Sequence, residues 1–66
     1  MELKEIMKQR REFLSLTQQD LAEIAEVGIA TVKDIERGKG NPALNTIKKI
    51  LDVLGMEIEY KVRKTF

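Results

Sequence analysis

The chain contains neither cysteine nor histidine among its 66 residues. Without cysteine it can form no disulfide and offers no thiolate ligand to a metal. Without histidine it lacks the commonest catalytic base and metal ligand of proteins. Domains of this size commonly add disulfides, a metal or a second subunit to reach stability. A well-packed helical core or self-association is what remains, and we expect no metal and no cofactor.

Long hydrophobic runs are also missing. No segment approaches the roughly 20 apolar residues of a membrane span, and the N-terminus lacks the apolar stretch of a secretory signal. Proline occurs once, at Pro42, inside the evident loop RGKGNP, and no repeat or low-complexity segment divides the chain. These absences predict one soluble, cytoplasmic domain with no membrane partner and no evident small-molecule substrate.

The charges nearly cancel, with a net charge of +1, but they are unevenly distributed. Residues 1–26 carry four basic and six acidic side chains, whereas residues 27–50 carry five basic and two acidic ones. An excess of this size is compatible with ordinary surface charge as well as with an anionic partner. Charge alone therefore leaves the partner open.

Apolar residues recur at helical spacing over most of the chain. The pattern predicts four helices, over about 3–14, 18–25, 29–37 and 43–54. We expect their inner sides to form the core, with these members: Leu3, Ile6, Met7, Leu14, Leu21, Ala22, Ala25, Val32, Ile35, Leu44, Ile47, Ile50, Leu51 and Leu54.

Capping residues support these boundaries. Thr17 is a favourable N-cap for the second helix, and Asp20 three residues later is an acidic variant of the capping box. Gly38 and Gly55 follow the third and fourth helices, where glycine commonly ends a helix.

The second and third helices, joined by a three-residue turn, match the helix-turn-helix arrangement. The segment LTQQDLAEIAEVGIATVKDIERGKGNP resembles the Cro and phage-repressor type of helix-turn-helix, also called the XRE family. The likeness rests on the Thr-Gln opening, the Leu-Ala pair, the Ile-Glu-Arg-Gly-Lys segment and the Asn-Pro pair. It implies a mainly α, lambda-repressor-like bundle of four helices, with a DNA-binding domain at 1–55.

Helical periodicity divides the third helix into two sides. Val32, Ile35 and Glu36 share the inner side, and the opposite side would enter a major groove of double-stranded DNA. The predicted DNA-binding residues lie at the start of the second helix, along the third helix and in the loop after it: Gln18, Gly28, Ile29, Ala30, Thr31, Lys33, Asp34, Arg37, Lys39 and Asn41. The alternatives are helix-start propensity for the glutamine and plain solvation for the basic residues.

Several residues depart from the family pattern. Glu26 stands where a glycine with positive φ is usual, at a cost of about 1 kcal/mol, and Gly28 replaces the usual capping Ser or Thr. Ile29 and Ala30 can only touch a thymine methyl, while Lys33 can donate to guanine. Modest specificity, recognition of DNA shape and loss of DNA binding are the three explanations left open.

Glu36 lies beside the apolar stripe of the third helix and needs a partner. Arg11 lies on the inner side of the first helix, four residues after Met7. We predict a structural, partly buried ion pair between Arg11 and Glu36, and the family pattern implies the same pairing. Its role is in the scaffold, because a bidentate arginine–carboxylate contact would fix the loop after the third helix.

The segment MEIEYKVRK at 56–64 alternates between apolar and charged residues, as a half-buried β-strand does. A lone strand leaves its backbone groups open for pairing with another chain. We expect antiparallel pairing with a second copy, so that 56–66 is a dimerisation strand and tail. The pairing residues are Met56, Glu57, Ile58, Glu59, Tyr60, Lys61, Val62 and Arg63. A monomer whose strand lies on its own helices or frays is the alternative.

One register of this self-pair makes the cross-strand charge contacts favourable. When facing residue numbers sum to 120, Tyr60 faces itself, Glu59 faces Lys61 and Glu57 faces Arg63. The neighbouring even sums place Glu59 or Lys61 opposite itself. Odd sums place the apolar face against the charged one. The apolar face of the strand would then cover the helices.

These observations favour a homodimeric transcriptional regulator that represses at a palindromic operator. A strand that pairs across the dimer also resembles, in topology, the HipB-like antitoxins of the family. That likeness implies the alternative, an interaction module that neutralises a toxin partner, with or without autoregulation. An enzyme is disfavoured, because His, Cys, a glycine-rich phosphate loop and an evident carboxylate pair are all missing.

Overall fold

The computed structural model describes residues 2–62. Within them lie four α-helices: α1 Leu3–Phe13, α2 Gln18–Ala25, α3 Ile29–Glu36 and α4 Leu44–Val53. The mainly α class and the four helices are as predicted, and the predicted ends differ by at most one residue, as is usual where helices fray. Helix α2 packs against both α3 and α4, and α1 packs against α3.

One apolar core joins the four helices. Its buried members are Met7, Leu21, Ala22, Ala25, Val32, Ile35, Ile50, Leu51 and Leu54. Each large aliphatic side chain in such a core contributes roughly 1.5–3 kcal/mol relative to its exposed state. Leu14 and Leu44 were expected in the core but lie on the surface. Leu14 follows the last residue of α1 and Leu44 is the first of α4, and at these ends no neighbouring helix covers the apolar stripe.

A capping box starts α2, as predicted. The Thr17 hydroxyl accepts the Asp20 N–H at 3.0 Å, and the Asp20 carboxylate accepts the Thr17 N–H at 2.9 Å. The Thr17 backbone N–H and, second, its hydroxyl lower the pKa of Asp20. Because this pKa is lowered on folding, the resulting stabilisation is present above the ordinary aspartate pKa and is lost as the pH falls through the lowered value.

The turn between α2 and α3 relies on a strained residue. Glu26 adopts the left-handed conformation, with φ 57° and ψ 46°, so the expected positive φ is confirmed. The next N–H, of Val27, donates to Ala22 O at 3.0 Å. Gly28 is the N-cap of α3 in extended backbone and supplies no capping side chain.

The segment after α4 leaves the helical body. Gly55, with φ 71°, ends the helix, and the Met56 N–H returns to Leu51 O at 2.8 Å. In the described part of the chain, residues 57–62 form no helix, no strand and no backbone hydrogen bond. Among the described residues this segment therefore has no backbone pairing partner, and the strand and its dimer pairing stay predictions.

Only the first half of the apolar face of this segment lies on the helices. Met56 and Ile58 are half-buried against the core, whereas Tyr60 is 75% exposed and Val62 is fully exposed. One copy alone therefore leaves Tyr60 and Val62 uncovered, and the expectation that the apolar face covers the helices of the dimer stays a prediction. Arg63, also assigned to the pairing segment, lies outside the described residues.

No helix between residues 2 and 62 combines the length and the apolar character needed to cross a membrane.

Candidate nucleic-acid interface

Helix α3 is buried along one side and open along the other. Val32 and Ile35 are in the core, while Ala30, Lys33 and Arg37 are exposed. We call the open side, with its exposed residues and its half-buried edges, the outer face of α3. Its members are Ala30, Thr31, Lys33, Asp34 and Arg37. The structure thus places these predicted residues of α3 along one open side of the helix, and their contact with DNA stays a prediction. Of the other predicted residues, Gly28 is the N-cap at the start of the helix, and Ile29 packs against the core instead.

Arg11 and Glu36 form the predicted bidentate pair. Arg11 Nε and Nη2 donate to the two Glu36 carboxylate oxygens at 2.8 and 2.9 Å. The side chains are only 12% and 4% exposed, and this hydrogen-bonded carboxylate raises the pKa of Arg11. A further donor, Arg11 Nη1, bonds Leu16 O at 2.8 Å. One arginine of α1 therefore hydrogen-bonds both to the last residue of α3 and to the loop that leads into α2.

Gln18 contacts the same carboxylate. Its Nε2 lies 3.4 Å from Glu36 Oε1, a long hydrogen bond that links the first residue of α2 to the last residue of α3. The side chain is half-buried and stands at a helix N-terminus, where backbone N–H groups favour an anion. The structure thus shows the Gln18 side chain in contact with the C-terminal end of α3.

Asp34 and Arg37 form an ion pair on the outer face of α3. Both side chains are substantially exposed, so the pair adds at most about 1 kcal/mol to stability. The pair matters more for the charge of this surface than for stability, because the guanidinium of Arg37 offsets the negative charge of Asp34. Sequence analysis missed this contact, although the i, i+3 spacing was a usable signal.

The loop after α3 lies beside its outer face. Gly38, with φ 73°, ends the helix, and the Lys39 N–H donates to Asp34 O at 2.8 Å. Thr31 and Asp34 of the helix then share a shallow cleft with Lys39 and Asn41 of the loop. The predicted residues Thr31, Asp34, Lys39 and Asn41 are thereby brought together in one cleft, with Lys39 as its basic side chain.

The chemistry of this surface suits a polyanion. Lys33, Arg37 and Lys39 are exposed cations, and hydroxyl and amide groups lie among them. Among residues 2–62, no group of three or more carboxylates is close enough to hold a metal ion. The surface can therefore neutralise phosphates and donate hydrogen bonds to base edges.

Two short helices joined by a tight turn, with the second open along one side and braced from α1, define a helix-turn-helix domain. A family model described as helix-turn-helix matches residues 7–61, and the chain belongs to this family, in its XRE type.

A curated relative agrees with this assignment. The chain is 29% identical over 58 residues to the HTH-type transcriptional regulator DdrOP3 of Deinococcus deserti, and the match covers 88% of this chain. The chain spans 45% of the length of that relative.

Proposed function

We propose that this protein is a homodimeric, sequence-specific binder of double-stranded DNA that represses transcription at a palindromic operator. The observation that carries the proposal is the outer face of α3, which is exposed and yet held firmly from behind by the Arg11–Glu36 pair. A helix that is braced in this way can enter a major groove without first being ordered, so little binding energy is lost to ordering.

Base recognition depends chiefly on Lys33. Its exposed ammonium can donate to the O6 and N7 acceptors of guanine. Ile29 and Ala30 offer only apolar contact to a thymine methyl. Asp34 could accept from cytosine, but its carboxylate is engaged by Arg37. Few side chains thus address the bases directly, and sequence-dependent DNA shape supplies the remainder of the specificity.

The residues proposed to contact phosphates lie around Lys33. Arg37, Lys39 and Asn41 lie at the C-terminal end of α3 and in the loop that follows it, and Gln18 stands at the N-terminus of α2. Each cation that neutralises a phosphate releases a condensed counterion. Affinity should therefore fall steeply as the salt concentration rises.

The dimer is formed by the tail. Residues 57–62 have no backbone hydrogen-bond partner in the described chain, so an antiparallel self-pair would satisfy groups that one copy leaves open. With Tyr60 facing itself, Glu59 faces Lys61 of the second copy. Pairing also supplies cover for Tyr60 and Val62, which a single copy leaves exposed. Two α3 helices related by a two-fold axis suit half-sites about 34 Å apart.

A second candidate is an antitoxin-like interaction module. It is favoured by large apolar side chains that lie away from the outer face of α3: Phe13 is 74% exposed and Ile24 is 57% exposed. Such side chains can anchor a protein partner. A toxin encoded by a neighbouring gene, co-purified with this protein and inactivated by it, would establish this role.

The proposal is tested by selecting bound sequences from a pool of random duplex DNA. We expect a palindrome to be enriched, with half-sites about one helical turn apart. Enrichment of no sequence, from a protein that is folded and dimeric by sedimentation, would refute DNA recognition and favour the interaction module. Enrichment of a single unrepeated half-site would refute the dimeric arrangement.

A further inference from the structure

Arg10 connects α1 to the end of α4. Its Nε donates to Leu54 O at 2.8 Å, and its guanidinium lies 5.1 Å from the centroid of the Phe13 ring. Within residues 2–62, no carboxylate forms an ion pair with Arg10. The guanidinium thus donates to a backbone carbonyl at the C-terminal end of α4 and also lies over the aromatic ring of a residue in its own helix.

The bonded carbonyl lies just before the point where the chain turns into the tail. Leu54 is fully buried, and Gly55 follows in the left-handed conformation. A Cβ added at Gly55 would lie 3.5 Å from Arg10 Nη2. The guanidinium therefore contacts the turn itself as well as the carbonyl that precedes it.

The first residue of the tail meets α1 at the same place. Met56 lines a shallow groove together with Ile6, Gln9, Arg10 and Phe13. Between residues 59 and 62 the tail touches little of its own protomer, as the exposed Tyr60 and Val62 show. The direction of the tail is consequently decided at residues 54–58, where Arg10 supplies the side-chain hydrogen bond.

We propose that Arg10 is a positioning residue that sets the direction in which the tail leaves the helical body, and thereby the spacing of the two operator half-sites. This inference rests on the proposed function, since it presupposes tail-to-tail dimers on a palindrome. A small rotation at Gly55 is carried along the tail to the two-fold axis and moves both α3 helices. Arg10 touches no base or phosphate in this role.

The test measures affinity against half-site spacing. A selected palindrome is synthesised with its spacer changed by one base pair in either direction, which rotates the second half-site by about 34° and shifts it by about 3.4 Å. The wild type is compared with Arg10→Met, which keeps an apolar stem beside Phe13 but has no donor. Lys8→Met, an exposed position two residues earlier on α1, is the matched control for loss of one charge.

We expect the wild type and Lys8→Met to lose about tenfold or more in affinity when the spacer changes, because the bound dimer must then deform DNA or protein. Arg10→Met should lose less than about threefold, as its tail direction is no longer held, while its sedimentation as a dimer stays unchanged. If Arg10→Met folds too poorly, Arg10→Lys replaces it. The lysine keeps the positive charge, but its freely rotating ammonium cannot contact the Leu54 carbonyl and the Gly55 turn together as the planar guanidinium does.

A spacing preference as sharp in the folded Arg10 variant as in the wild type would overturn this inference and leave the proposed function standing. A wild type that recognises no palindrome at all would overturn the proposed function, and this inference with it.

Discussion

At the scale of single residues, the Arg11–Glu36 pair links stability to the proposed DNA interface. Glu36 is almost fully buried and receives hydrogen bonds from Arg11 and Gln18. A buried carboxylate is tolerated only while such donors neutralise it. The pair therefore holds α1, α2 and α3 in register without any of its atoms reaching the outer face of α3.

Replacement of Arg11 should destabilise the protein clearly. In Arg11→Met, Glu36 would keep only the long contact from Gln18, and we expect a loss of about 3 kcal/mol or more in the free energy of unfolding. Urea denaturation of the variant beside the wild type measures this loss. Lys8→Met, at an exposed site, should change stability by less than about 0.5 kcal/mol. An unchanged midpoint for Arg11→Met would show that the pair contributes nothing.

The strained turn residue Glu26 offers a test in the opposite direction. Glu26→Gly should raise the free energy of unfolding by about 0.5–1 kcal/mol, because glycine adopts positive φ without steric cost. The matched control is Glu23→Gly, the same exchange at an exposed position three residues earlier within α2. It should lower stability by a similar amount, about 0.5–1 kcal/mol. Thermal melts in which both variants are destabilised would contradict the strain at Glu26.

At the scale of elements, α3 combines a buried side and an outer face, and the glycine Gly38 follows its C-terminal end. The core residues and the caps were predictable, because apolar spacing and glycine placement are local properties of the sequence. The capping box at Thr17 and the C-terminal Gly38 illustrate this. The pairing of Arg11 with Glu36 was also predictable. A glutamate beside the apolar stripe of one helix needs a basic partner, and Arg11 lies on the core-facing side of another helix.

Other contacts could not be predicted, for identifiable reasons. Arg10 bonds a carbonyl 44 positions away, and a backbone acceptor carries no sequence signature. Leu14 and Leu44 follow the apolar period but lie on the surface, because periodicity does not show where a neighbouring helix ends. The exposure of Tyr60 and Val62 depends on the direction of the tail, which local alternation does not encode.

Substitution of a base-contacting residue and of a phosphate-contacting residue should affect DNA binding differently. Lys33→Ala should weaken binding to the selected operator by about 1–3 kcal/mol and relax specificity at the base pair it contacts. Lys39→Ala should weaken binding about equally for all sequences and make it less dependent on salt. Lys49→Ala, exposed on α4, is the control. Titrations over several salt concentrations in which Lys33→Ala behaves like Lys49→Ala would contradict the assigned role.

At the scale of the whole molecule, the proposed function requires two copies. One copy presents one outer face of α3 and one tail whose residues 57–62 form no backbone hydrogen bond in the described chain, and one such face is not sufficient for recognition of a palindrome. The proposed self-pair joins these features, since it places both α3 helices under one two-fold axis.

The register of the self-pair can be tested by exchanging the charges of Glu59 and Lys61. Glu59→Lys alone and Lys61→Glu alone each place like charges opposite one another and should weaken self-association. The double variant restores opposite charges and should associate about as well as the wild type, each pair contributing roughly 0.2–1 kcal/mol. Sedimentation over a range of concentrations measures the effect. Three variants with equal dissociation constants would rule out the register in which Glu59 faces Lys61.

The most direct test of the whole account is the mass of the protein–DNA complex on two duplexes, one with the full selected palindrome and one with a single half-site. We predict two chains of 7.6 kDa on each duplex, since the two copies are joined by their tails before either α3 binds a major groove. A single chain bound to the half-site duplex, at concentrations where the palindrome is saturated, would contradict it.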